Sequence, residues 1–481
     1  MQAVGRTLVI GSRTLPFGPR AARTAIVREI RSMPLALRIW LAGLSAVMAV
    51  GAVAALIALP PGWEVFGTTP SFEWGLLIVA YVFFAIMTSG LCLASSLGTV
   101  FGIDRFRPLE KRHAVLAVLS LTTAFGIISL DLHYPIRLLF GAMLTPSPSS
   151  PMWWMGVFYG AYLVVLLVEV WSMFTPHPRI HAWSCALAAC IAILAPTTLG
   201  AVFGVIAAKP FWHGPFTPVL MVASAFLAGT ALLGIVMYAV HRLRLQDLDR
   251  ARALGIPSVR LLLRVGLVLV SLLVAREIVA GLGSDEKGLR DATVALVSGP
   301  LAIQFWGVRV VAGLVVPAVL VLLPATRTPA GVFAASVLAL VGVFADRLTL
   351  VTAGQIAPLT AHAGTVAAPY ASYTPSLVEI AILLGALAFL AFAYTLAERY
   401  LDMGESDVHI WLVTFPWMHH EHEAAEAAEI TAMAVATGAT ETAETAGPEP
   451  VIAAPASEAI AQADPTPSIP YAALPLAEDE A

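Results

Sequence analysis

Charge is scarce in this sequence. Only 12% of its 481 residues are Asp, Glu, Lys or Arg, about half the share that a soluble domain carries. Cysteine is nearly absent. Cys92, Cys185 and Cys190 all fall inside apolar runs, with no CxxC motif and no Cys/His cluster at metal-ligand spacing along the chain. That excludes a disulfide framework and leaves no ligand set for an iron–sulfur cluster of the chain's own. No basic face with interleaved aromatics occurs, which argues against nucleic-acid binding. The amino terminus also lacks the pattern of a cleaved leader: Arg6, Arg13, Arg20, Arg23, Arg28 and Arg31 precede an apolar run from about Leu35 to Leu59. That run is too long for a signal-peptide core and has no small-residue cleavage site, so it reads as a retained first helix.

What the chain has in abundance is hydrocarbon. Hydrophobic residues make up 59% of it, and the mean hydropathy is +0.84. Ten apolar stretches recur, at 35–59, 74–102, 113–134, 152–174, 181–207, 216–240, 261–282, 301–323, 330–350 and 376–398. Each is long enough to cross a hydrocarbon layer of about 30 Å as a helix. Helices are required because no water is present in lipid to satisfy the backbone. The expected fold is therefore an all-α integral membrane protein of about ten transmembrane helices. The ninth stretch is the weakest, because Asp346 and Arg347 stand at its end, and 351–375 reads as a re-entrant or surface helix. The 36 glycines suit close helix packing in lipid.

Alternating the sides from a cytoplasmic amino terminus puts 20 of the 27 Lys and Arg residues inside. The positive-inside rule thus predicts both termini in the cytoplasm of a bacterial inner membrane. The organisation expected is a cytoplasmic segment over 1–33, a membrane domain over 34–400 and a tail over 401–481. The tail is rich in Ala, Glu, Pro and Thr and lacks hydrophobic periodicity, so it reads as disordered. Its His419, His420 and His422 read as incidental.

Ionisable groups in lipid are costly and mark candidate sites. SLDLHYPIR at 129–137 gathers Asp131, His133, Tyr134 and Arg137 at the outer end of the third stretch. An acceptor, a group titrating near neutrality, a phenol and a fixed cation stand there within two turns, with Pro135 to break the helix. An interfacial cap of snorkelling side chains is the competing reading. Glu73 and Trp74 open the second stretch. Glu169, Arg276, Glu277, Arg309, Asp346, Arg347 and Glu379 lie in or at the ends of later ones. These are candidates for a proton route, with structural ion pairs as the rival. Arg276 and Glu277 are consecutive, so each needs a different partner.

The ordered segments EWGLLIVAYVFFAIMTSG (73–90), LDLHYPIRLLFG (130–141), SPMWWMGVFYGAY (150–162), the long run from Pro196 to Ile235, QFWGVRVVAGLVVP (304–317) and YTPSLVEIAILLGALAF (373–389) resemble a known family. It is the NrfD/PsrC-type membrane subunits of respiratory oxidoreductases, in the long branch with HybB-like, DsrP-like and alternative complex III quinol-oxidising subunits. The resemblance implies two stacked four-helix bundles plus extra helices, with no haem or metal in the chain itself. It implies an exchangeable quinone or quinol near the outer face, beside a periplasmic-side iron–sulfur subunit and further subunits, a multihaem cytochrome c among the candidates. Carried onto this chain, it makes Asp131, His133 and Arg137 the catalytic candidates, with Glu73, Trp74 and Tyr134 lining the site. The family's usual LDLGRP reads LDLHYP here, so His133 and Tyr134 depart from the pattern and Asp131 and Arg137 are the firmer carry-over. The alternatives from residues alone are a secondary transporter or ion-conducting subunit and, less well supported, a haem carrier.

Overall fold

The computed structural model describes residues 7–10, 13–16, 29, 31–59, 65–70, 72–103, 106, 110–132, 146–175, 177–243, 249–356, 370–401 and 403. The membrane part is all helix. Its helices are α1 (Leu35–Ala58), α2 (Leu76–Thr99), α3 (Glu110–Asp131), α4 (Pro151–Met173), α5 (Pro178–Gly204), α6 (Phe216–Leu243), α7 (Asp249–Leu282), α8 (Lys287–Val297), α9 (Ile303–Leu322), α10 (Pro329–Ile356) and α11 (Leu377–Tyr400). All except the short α8 contain a segment long and apolar enough to cross a membrane, which makes ten spans among the described residues. A short hairpin, β1 (Thr7–Ile10) and β2 (Arg13–Pro16), precedes them with Leu8 opposite Leu15. The tail expected over 401–481 lies outside the described residues, apart from Leu401 and Met403.

Helices α2, α3, α4 and α5 pack in a closed ring, and α6, α7, α9 and α10 form a second ring, the two joined mainly through α2 against α6. The outlying α1 and α11 pack on each other, and α11 leans on α3. Two four-helix bundles with extra helices are thus present. Helix α2 is the most enclosed: Val79 to Met87 are all buried. Its approach to α6 depends on two glycines. A Cβ on Gly90 would stand 1.7 Å from the Ala225 carbonyl oxygen, and one on Gly229 would stand 2.1 Å from Gly90 backbone. Neither residue can carry a side chain at this crossing.

Helix starts follow local chemistry. Pro151 and Pro178 occupy first-turn positions, where a missing N–H costs nothing. Ser376 and Glu379 form a reciprocal capping box at the start of α11. Two sequence expectations need correction. The ninth span does not end at Asp346 and Arg347 but continues to Ile356, because both charges are buried against α6 and α9 rather than facing lipid. They therefore lie within the span, and the outer-side count of cations falls by one. Likewise 351–356 closes α10 and 370–376 is non-helical; the remainder of the expected re-entrant stretch lies outside the described residues. Cys190, although it falls inside an apolar run, is exposed.

Candidate functional site

At one end of the first bundle, segments far apart in the chain meet on Glu379. This carboxylate is 1% exposed. Its Oε2 accepts from the Gly67 N–H at 2.9 Å and the Ser376 N–H at 2.8 Å. Its Oε1 accepts from the Tyr373 hydroxyl at 2.7 Å and the Leu76 N–H at 3.2 Å. The Tyr373 oxygen in turn accepts from Leu76 at 2.6 Å. Four donors converge on this one carboxylate, which thereby also satisfies an orphan N–H at the start of α2.

Beside this hub, Gln355 at the end of α10 clasps Trp74. Its Oε1 accepts the Trp74 N–H and its Nε2 donates to the Trp74 carbonyl, both at 3.0 Å. The Trp74 ring stacks on Trp212 with centroids 4.9 Å apart and an 18° interplanar angle. Phe203 meets both rings edge-on. Trp212 is fixed by its Nε1 donating to the Leu350 carbonyl at 2.7 Å. Gly354 leaves room for its ring, since a Cβ there would stand 2.0 Å from the indole. Phe72 stacks flat on Tyr373 at 4.9 Å. The result is a largely buried aromatic cluster at this end of the bundle, beside the fixed Glu379 carboxylate.

Asp131, the last residue of α3, lies within electrostatic reach of Tyr373. Burial, the Glu379 hydrogen bond and the carboxylates of Glu379 and Asp131 push the Tyr373 phenol well above its ordinary range. Glu73 is exposed at the rim. Nearby Lys209, in the loop between α5 and α6, is pushed below its ordinary value by burial, opposed by the Glu73 charge. The structure thus brings together Asp131, Glu379 and Trp74, with Glu73 at the edge. His133, Tyr134 and Arg137 lie outside the described residues. Tyr373, Gln355 and Trp212 were not read from the sequence. The capping-box spacing of Ser376 and Glu379 was the available signal for Glu379's local role, but nothing local announces its partners in α2.

Another group of charges sits inside the second bundle. Arg309 pairs with Glu277 at 2.6 Å and with Asp346. Asp346 also pairs with Arg347, whose Nη2 donates to Ser224 at 2.7 Å. All four charges are buried and they sum to zero. Arg309 lies in a π-helical segment, Ile303–Val315, a distortion found mostly at functional positions. Arg276 is not part of this network. It is exposed and its guanidinium lies 4.2 Å from the Phe216 ring centroid, which answers the sequence argument that the neighbours Arg276 and Glu277 take different partners.

Glu169 belongs to neither group. It is buried at the opposite end of the first bundle, among His113, His181, Cys185 and Glu110. Glu110 and His181 were not singled out as a pair in the sequence, being 71 residues apart.

Comparison with known proteins bears on this arrangement. The pattern described as "Polysulphide reductase, NrfD" matches residues 64–358, the stretch that contains both bundles. The chain belongs to this family. One similar protein is the "Hdr-like menaquinol oxidoreductase integral membrane subunit" of Archaeoglobus fulgidus, 24% identical over 74% of this chain and 91% of that protein. Another, from Halobacterium salinarum, is named as a putative dimethyl sulfoxide reductase membrane subunit and is 26% identical over 76% of this chain and 91% of its own length. A selenate reductase subunit of Mesobacillus selenatarsenatis is 25% identical over 40% of this chain and 54% of its own length. The NrfD-family chain is thus a multi-pass membrane protein similar to membrane subunits of oxidoreductases.

Proposed function

We propose that this NrfD-family chain is the quinone-reactive membrane subunit of a multi-subunit oxidoreductase. On this reading it exchanges electrons between the quinone pool and a partner iron–sulfur subunit on the outer side, with further subunits such as a multihaem cytochrome c beyond it. The observation that carries the reading is the end-of-bundle site where Asp131 lies within electrostatic reach of Tyr373 and its Glu379 partner, near the Trp74–Trp212 stack. A quinol ring needs a flat apolar surface, a donor or acceptor for each oxygen, and a base for the protons it loses. The indoles offer the surface and Asp131 offers the base, at the membrane edge where lipid-soluble and water-soluble partners meet. The family's relatives, named as menaquinol oxidoreductase, selenate reductase and dimethyl sulfoxide reductase subunits, are the second line of support.

The Glu277–Arg309–Asp346–Arg347 network supports a further reading, in which electron transfer at the site is coupled to proton movement through the second bundle. Its charges are buried and mutually neutralised, so adding or removing one proton changes the local charge sharply in a medium that screens little. The bacterial inner membrane with cytoplasmic termini follows from the arginine distribution, and belongs to the same reading.

The deciding experiment is quinol-dependent reduction by the purified complex carrying Asp131→Asn. The expected result is a loss of turnover of about 10²-fold or more, the usual contribution of a positioned general base, with bound quinone retained. Full quinone-linked turnover would remove Asp131 from the proton step. Failure of the intact complex to exchange electrons with any quinol would remove the function itself.

A further inference from the structure

At the end of the first bundle opposite the Glu379 site, three helices contribute a set of buried side chains that the quinone reading does not use. Glu110 opens α3, Glu169 lies in the last turns of α4, and His181 and Cys185 stand one turn apart on α5. None of the four is more than 3% exposed. One oxygen of Glu110, a ring nitrogen of His181 and the sulfur of Cys185 all lie within 4.8 Å of one another. The Cys185 sulfur is 3.6 Å from Glu169 Oε1 and 3.8 Å from each nitrogen of His181. Around a tetrahedral centre, ligand bonds of about 2.0–2.3 Å place neighbouring donor atoms at roughly these separations.

The hydrogen bonds set the imidazole's proton. Ser172 has one hydroxyl hydrogen, and it goes to the Glu169 carbonyl at 2.7 Å. Its oxygen must then accept from His181 Nδ1, 3.1 Å away. That leaves the lone pair of Nε2, in the neutral ring, pointing at Glu110 Oε1 at 2.8 Å. Two acceptors therefore face each other, and at 2.8 Å it is a proton that stands between them; a metal ion would take its place by spreading the pair to about 3.3 Å. A metal-bound histidine whose other nitrogen donates to a fixed oxygen is the common second-sphere arrangement. A separate observation points the same way: Glu169 Oε2 is buried and makes no hydrogen bond, so this carboxylate has an oxygen to give.

We propose that Glu110, His181 and Cys185 form a three-ligand site for a borderline divalent cation of the zinc type, with the Glu169 carboxylate beside the sulfur. One thiolate, one imidazole and one carboxylate suit that class and not magnesium or calcium, which avoid sulfur. Three protein ligands leave a fourth position for water, or for the Glu169 carboxylate if it shifts towards the ion. The ion ties α3 to α5 at the end of the bundle where buried acidic groups gather.

The test uses the full chain purified in mild detergent, incubated with Zn²⁺ or Co²⁺ and freed of excess by gel filtration. One tightly held ion per chain is expected. The Co²⁺ form should show a thiolate charge-transfer band, and X-ray absorption of the Zn²⁺ form should show one sulfur at about 2.3 Å with three N/O neighbours near 2.0 Å. Cys185→Ser should remove the charge-transfer band, while Cys190→Ser, five residues on and exposed, should keep it. If Cys185→Ser fails to accumulate, the Cys190→Ser and unaltered chains still decide the matter through the absorption spectrum. Metal content at background after loading, or a Co²⁺ spectrum without a sulfur band, would overturn the site and leave a shared proton between Glu110 and His181.

Discussion

Replacing Glu379 separates two ways in which a buried carboxylate can stabilise a helix bundle: by its charge or by the number of acceptors it offers. Glu379→Ala leaves the N–H groups of Gly67 and Ser376 without this acceptor, whereas the Leu76 N–H keeps the Tyr373 oxygen at 2.6 Å. Two orphaned donors at about 1–3 kcal/mol each, with the capping box lost as well, give a destabilisation of about 3–7 kcal/mol. Glu379→Gln can turn its amide oxygen towards Gly67 and Ser376 and its NH₂ towards Tyr373, whose hydroxyl reverses to accept. Only charge assistance and one long bond disappear, so the cost is about 1–3 kcal/mol. Thermal unfolding of the detergent-purified chain, followed by tryptophan fluorescence, should rank wild type above Gln and Gln above Ala. Trp74 lies beside this hub, so the emission should change with its loss. A Gln variant as damaged as Ala would refute the acceptor argument and assign the stabilisation to charge. An Ala variant that melts like wild type would refute the hub altogether.

Gly90→Ala should prevent accumulation of folded protein in the membrane, because its Cβ would lie 1.7 Å from a carbonyl oxygen, whereas Gly126→Ala on α3, with no atom within 4 Å, should be silent. Quantifying the detergent-soluble monodisperse protein of both variants checks this. Arg309→Met should cost about 3–5 kcal/mol by stranding Glu277 and taking one of its two cation partners from Asp346, and adding Glu277→Gln should recover part of that loss, measured as a double-mutant cycle in melting. Tyr373 has a raised folded-state pKa, so its phenol contributes stability below its ordinary value of 10.0 that is lost as pH rises beyond it. Melting curves should therefore fall more steeply above about pH 10 in wild type than in Tyr373→Phe.

The class of the protein and its span count were legible in one dimension. Apolar runs of span length can be nothing but helices in lipid, and arginines sorted to alternate loops suggest a sidedness without any coordinates. The resemblance carried by short punctuated motifs anticipated the paired bundles. Asp131, Glu379 and Trp74 were visible as costly or interfacial residues, although not as neighbours. Which polar groups face one another was settled by tertiary packing. Asp346 and Arg347 looked like a helix end because charge in hydrocarbon is unfavourable, yet mutual pairing with Arg309 and Ser224 removes that cost and lets α10 run on to Ile356. Glu110 looked like a loop residue and His181 like a helix-end residue, and only the packing of α3 against α4 and of α4 against α5 sets them 2.8 Å apart. A one-dimensional pattern records the cost of placing a group in lipid, but the partner that offsets it comes from another helix, and sequence distance carries no information about which one.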